Sequence, residues 1–128
     1  MELPMPLNRS ATAPIFDIPG LTVAGLASPS RGTCETSVWR LTIAPDTPGV
    51  PHSLDKEEIF VALSGRAVAT VGHDSFEIYA GDTLVVPADQ VFSLANPGPD
   101  AFEALAAAPV GVRARLSNGD FFAPPWTL

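Results

Sequence analysis

The chain has a single cysteine, Cys34, among 128 residues. One thiol closes no intrachain disulfide, so the fold must rest on its core, and nothing points to an oxidising compartment. Cys34 is read as a small apolar residue within a strand, and a Cys–His nucleophilic pair is set aside. Lysine is as scarce: Lys56 stands alone beside six arginines, against 14 acidic residues, for a net charge of −7. A nucleic-acid partner needs a basic stripe to meet the phosphates, so none is expected. An anionic membrane surface is excluded for the same reason. No apolar run approaches the ~18 residues of a membrane span. The opening MELPMPLNRS lacks the basic cluster and apolar core of a signal peptide. A cytoplasmic location is therefore expected. Glycine-rich phosphate loops, nucleophile elbows and Cys-x-x-Cys pairs are all missing.

Charged residues make up only 16% of the chain and hydrophobic ones 46%, which excludes an intrinsically disordered chain. Ten glycines and 14 prolines are spread along the sequence, so they mark many turns and not one linker. Residues 1–13 have no periodicity and read as an irregular arm; residues 14–128 read as a single domain. Segment 35–43 alternates, with Trp39, Leu41 and Ile43 on one face, which is the signature of a half-buried strand. Further strands are read at 15–18, 21–27, 58–63, 66–71, 75–80, 83–86, 91–94, 102–108 and 112–116. A hairpin turn is placed at Gly72-His73-Asp74. Two stretches compete: residues 53–63 and the Ala-rich 100–108 carry helix-start signals. Both are assigned as extended, because sheet context overrides weak propensity. Short strands with turns every eight to twelve residues give an all-β sandwich or barrel.

Between Gly49 and Asn96 the spacing becomes specific. Pro51-His52-Ser53-Leu54 is followed by Glu58 and, after six residues, Gly65; Gly81 is followed after five residues by Pro87, then by Phe92 and Asn96. This pattern resembles the two motifs of the cupin superfamily, over about 48 residues. The ending Phe122-Ala-Pro-Pro-Trp126 also looks like the tail of small single-domain cupins. The resemblance implies a double-stranded β-helix, or jelly-roll (RmlC-like), barrel. In that family two His, a Glu and a third His point inward and hold one metal ion. Here Leu54 takes the second His position, Phe92 the third, and Asp89 the place of the motif's last Gly. Only His52 and Glu58 remain, and two ligands are few for zinc or iron, which take three or four. No cofactor is expected; any divalent transition metal would rest on His52 and Glu58 alone.

With Leu54, Phe60, Phe92 and Leu94 on the same inward faces, one polar pair would stand in an apolar lining. Three readings of His52 and Glu58 follow: a relic or ligand anchor, an acid–base pair near neutral pH, or a residual metal site. The inherited geometry implies that the two side chains touch or share one water. The interior itself is either an open small-molecule pocket or a filled core. The leading expectation is a barrel that binds a small molecule without metal. The alternatives are an enzyme (a metal-free isomerase, cyclase or lyase, or a metal-dependent oxygenase) and a filled structural barrel. His73 and the aspartates next to turn residues are read as turn chemistry, and Trp39 and Trp126 as packing. A homodimer through the arm or an outer sheet face is expected.

Overall fold

The structure is a computed structural model that describes residues 6–128. Twelve strands form two six-stranded sheets among the described residues. The first sheet has the order β1 (Ile15–Ile18), β2 (Leu21–Ala27), β3 (Thr36–Ile43), β10 (Phe102–Pro109), β5 (Glu58–Ser64), β8 (Thr83–Val86). The second runs β12 (Phe121–Phe122), β11 (Ala114–Leu116), β4 (His52–Leu54), β9 (Phe92–Ala95), β6 (Arg66–Val71), β7 (Asp74–Tyr79). Every pairing is antiparallel. The chain passes repeatedly between the sheets, as in a jelly roll.

The alternation read from the sequence fixes the core. Trp39, Leu41 and Ile43 are buried, as are Phe60 and Ala62. The Ala-rich stretch is strand β10, not a helix. It lies in the middle of its sheet, paired on one side with β3 and on the other with β5, so ladder hydrogen bonds outweigh the alanine propensity. Its inward residues Ala104, Ala106 and Ala108 are buried. Ala106 stands opposite both Trp39 and Phe60. A small side chain between two large aromatic ones keeps the inner floor of the sheet shallow.

Turn residues hold the strands in register. Gly65 has φ +78°, and a Cβ there would run into the Ala101 carbonyl oxygen, so glycine is required twice over. Asp89 adopts φ 66°. It keeps the left-handed backbone that a glycine would supply, which Asp tolerates better than most residues. Asn96, fully buried, donates through Nδ2 to the carbonyls of Ile43 (3.0 Å) and Asp100 (2.8 Å) and accepts from Gly98 N through Oδ1. The motif asparagine is thus a staple between a turn and the end of β3.

Some expectations need correction. Cys34 lies in the bend before β3 and is exposed, not within a strand, because that strand begins only at Thr36. Strand β11 begins at Ala114, two residues later than read, and β12 and three single-turn 3-10 helices (Ser10–Thr12, Pro29–Arg31, Pro125–Thr127) were not anticipated. Of the arm, residues 1–5 lie outside the described residues; the rest carries the Ser10–Thr12 turn and is tied down by Asn8, which donates to the carbonyls of Leu26 and Arg31. No helix among the described residues is long and apolar enough to cross a membrane.

Candidate functional site

The two sheets enclose a cavity of about 270 Å³. That is at the small end of small-molecule sites. The barrel is therefore open inside, and the filled-core reading does not hold. All six residues singled out from the sequence line the cavity: His52, Leu54, Glu58, Phe60, Phe92 and Leu94. Trp39, Leu41, Ile43, Phe122 and Trp126 also line it. Both tryptophans are thus wall residues and not packing alone. Alternation placed Trp39 on an inner face; nothing in the sequence distinguished the wall of a cavity from a closed core. The contribution of Phe122 and Trp126 depends on a tail that packs back against β2, β3 and β11, which no local pattern announces.

Glu58 opens strand β5, opposite Val86 of the edge strand β8. It is 4% exposed. Its Oε1 is sealed and has no hydrogen-bond partner. No cation compensates it: among the described residues the one salt bridge is Arg66–Glu77, on the surface. Burial alone pushes the carboxyl from its ordinary 4.5 up to about 8. At neutral pH Glu58 is therefore a carboxylic acid with a proton to donate.

His52 begins β4, opposite Phe92 of β9 and Leu116 of β11. Its ring lies 4.4 Å from the Phe92 ring, which in turn sits 5.7 Å from that of Phe60. Nδ1 lies 2.8 Å from the Val50 carbonyl oxygen. A carbonyl oxygen only accepts, so Nδ1 carries the hydrogen. In the neutral ring the lone pair is then on Nε2. His52 and Glu58 share the cavity without a direct hydrogen bond to each other; the imidazole Nδ1 is turned to the Val50 backbone. The second histidine, His73, is exposed in the β6–β7 turn, away from the cavity.

The four positions that hold a metal in the resembling family carry His52, Leu54, Glu58 and Phe92. Leu54 and Phe92 are 5% and 2% exposed and offer no donor atom. No group of three or more His, Cys, Asp or Glu suited to a metal occurs among the described residues. A divalent ion at this point would meet apolar walls that cannot coordinate it. The residues do not fit the family's metal.

Comparison with known proteins agrees with the architecture. The chain is 35% identical over 60 residues to the beta-conglycinin alpha' subunit of Glycine max, covering 44% of this chain and 10% of that protein. It is 35% identical over 57 residues to beta-conglycinin beta subunit 1, covering 41% and 13%. It thus spans about a tenth of the length of the curated relatives it matches. Among solved structures, the polyketide cyclase RemF from Streptomyces resistomycificus superposes with a TM-score of 0.79 at 14% identity, over 94% of this chain and 88% of that one. The 7S globulin of Momordica charantia gives 0.73 at 21%, over 87% and 37%. KdgF from Halomonas sp. gives 0.67 at 16%, over 79% and 92%. At such identities the likeness is one of fold. A family model described as a cupin domain matches residues 39–108, more than half of the sequence. With its two-sheet jelly roll and the motif spacing around Glu58, Gly65 and Gly81, the chain belongs to the cupin domain family.

Proposed function

We propose that this barrel binds one small, largely apolar molecule, without a transition metal, and holds it by a single polar anchor, Glu58. The observation that carries the reading is a buried carboxyl, the one acidic side chain in the wall of an open apolar cavity. A buried polar group without a partner costs about 1–3 kcal/mol. A ligand that accepts a hydrogen bond from the acid offsets that cost, and its apolar body replaces water against Leu54, Phe60 and Phe92. The volume suits a molecule of one or two rings. The two-donor site at His52 and Glu58 disfavours the metal-dependent oxygenase alternative, and the open interior disfavours a purely structural barrel.

The test uses 1-indanone, a compact ketone with one acceptor oxygen. Trp39 and Trp126 both line the cavity, so their fluorescence reports occupancy. Saturable quenching is expected. Glu58→Leu, which keeps the bulk and removes the donor, should weaken binding about tenfold, equivalent to ~1.4 kcal/mol. Leu94→Phe, which fills space, should abolish it. Quenching that is linear in ketone, or unchanged in both variants, contradicts the proposal. Protein purified without chelator should hold less than about 0.2 equivalents of transition metal, since too few ligands are present; a stoichiometric ion overturns the metal-free reading.

A further inference from the structure

The ribbon of β11 and β12 carries different chemistry on its two sides. Ala114 stands opposite Phe122, and both line the cavity. One residue along, Arg115 stands opposite Phe121, so the pleat turns that pair to the outer surface. Arg113, two residues before Arg115, lies on the same outer side. Its guanidinium carbon is 4.3 Å from the centre of the Phe121 ring, and that of Arg115 is 5.2 Å from it. The ring itself is 38% exposed. Two cations thus share one aromatic ring at the surface. Neither is within ion-pair reach of a carboxylate: among the described residues the one salt bridge is Arg66–Glu77. The neighbouring acids are engaged by other donors. Asp55 Oδ1 accepts from the Arg113 backbone N–H at 2.7 Å, and Asp120 Oδ2 from Asn118 Nδ2 at 3.1 Å. Ser53 of β4, opposite Arg115 in register, adds a hydroxyl to the same face.

We infer that Arg113 and Arg115 form a binding site for a phosphate dianion, free or as the terminal phosphoryl group of a small molecule. Two like charges over one ring repel each other, and no carboxylate of the fold relieves them. Contact with an aromatic ring uses the charge of a guanidinium and leaves its N–H groups free as donors. A dianion between the two groups removes the repulsion and accepts charge-assisted hydrogen bonds from both. A carboxylate, with a single charge, balances only one of them. The remaining arginines offer no such pair. Arg66 is matched by Glu77, and Arg31 donates to the backbone carbonyls of Thr12, Gly25 and Arg9. In a chain of net charge −7, the general field repels anions, so the attraction is local to this ribbon. The footprint, two side chains around one ring, matches a single anionic group. The site is separate from the cavity and stands or falls independently of the binding proposed there. An anion outside and an apolar molecule inside would be held by opposite sides of one ribbon, as two ligands.

The experiment is isothermal titration calorimetry of the full chain with inorganic phosphate at constant ionic strength. One saturable site is expected, with a Kd of about 1 mM or tighter. Arg113→Gln and Arg115→Gln should each weaken it at least about tenfold, since each removes a charge-assisted contact. Phe121→Leu keeps both charges and removes the ring that gathers them, so it should cost less than either arginine change. Arg40→Gln removes the same charge from an outward position of β3 in the other sheet and should leave the affinity unchanged. Acetate should bind at least about tenfold more weakly than phosphate. Circular dichroism of each variant verifies that it is folded. Glycerol 3-phosphate distinguishes the sources of the anion: tighter binding than phosphate assigns the site to a phosphoryl group on a larger molecule, and weaker binding assigns it to free phosphate. Heat that never saturates in the wild type overturns the site. An Arg40→Gln loss equal to that of Arg113→Gln and Arg115→Gln reduces the effect to overall charge and overturns it as well. Binding that survives removal of both Arg113 and Arg115 overturns the assignment of the residues.

Discussion

Glu58 is the residue on which pH should act most. In the unfolded chain its carboxyl ionises near 4.5, and in the folded protein near 8. Between these values the folded state holds a proton that the unfolded chain has released. The stability from this group is fully present below pH 4.5. It falls by about 1.4 kcal/mol per pH unit as the pH rises through the window, and is level again above 8. His52 is the other ionisable residue of the cavity wall, and it stays in place in a Glu58→Leu variant. Urea denaturation from pH 5 to 9 should therefore show Glu58→Leu gaining on the wild type up to about pH 8 and levelling beyond it. A stability difference independent of pH contradicts a buried protonated acid. At this scale the sequence was informative about position: the motif spacing put His52, Leu54, Glu58, Phe60, Phe92 and Leu94 around one space. It did not reveal the orientation of His52, because the Val50 carbonyl that turns the ring belongs to an irregular loop with no recognisable signal.

Strands and turns were legible where alternation or glycine spacing is strong, as in β3, the β6–β7 hairpin and the Gly65 and Gly81 turns. They were not legible where the partner is remote. The Pro125–Thr127 turn is held by residues about a hundred positions earlier: Ser28 and Ser30 donate to the Leu128 carbonyl, and Ser37 to that of Thr127. Strand β12 has only two residues and exists through its pairing with β11. The glycine turns allow a matched pair of substitutions. Gly65 and Gly81 both have positive φ, but a Cβ at Gly81 meets nothing within 4 Å, while at Gly65 it meets backbone. Gly81→Ala should cost only the left-handed strain, about 1–2 kcal/mol. Gly65→Ala adds a collision with the start of β10 and should cost clearly more, ~3 kcal/mol or above. Denaturant midpoints of the two variants check the order; equal losses contradict the close approach at Gly65.

For the molecule as a whole, the sequence carried the barrel and left its interior undecided, since a filled core and a lined cavity use the same alternating residues. Its outer face bears on assembly. Ile59, Val61 and Leu63 of β5 are 36–38% exposed, and Val85 of the neighbouring β8 is 52% exposed. The register places Val85 beside Ile59. In a chain of net charge −7, this row carries no charge, so a second copy can cover it without like-charge repulsion. Static light scattering should then give twice the 13.4 kDa of one chain, falling to one chain on Val61→Lys. A species of 13.4 kDa at high concentration refutes the dimer.

Binding through Glu58 as a donor requires that it keep its proton at neutral pH inside an open cavity. The most direct measurement is carbon NMR of protein labelled at the glutamate carboxyl carbons, titrated from pH 3 to 10, with Glu58→Gln identifying the Glu58 signal. A midpoint near 8 is the outcome this structure predicts. A midpoint at or below 4.5 would mean that a cation or a metal faces the carboxylate, and would contradict the account.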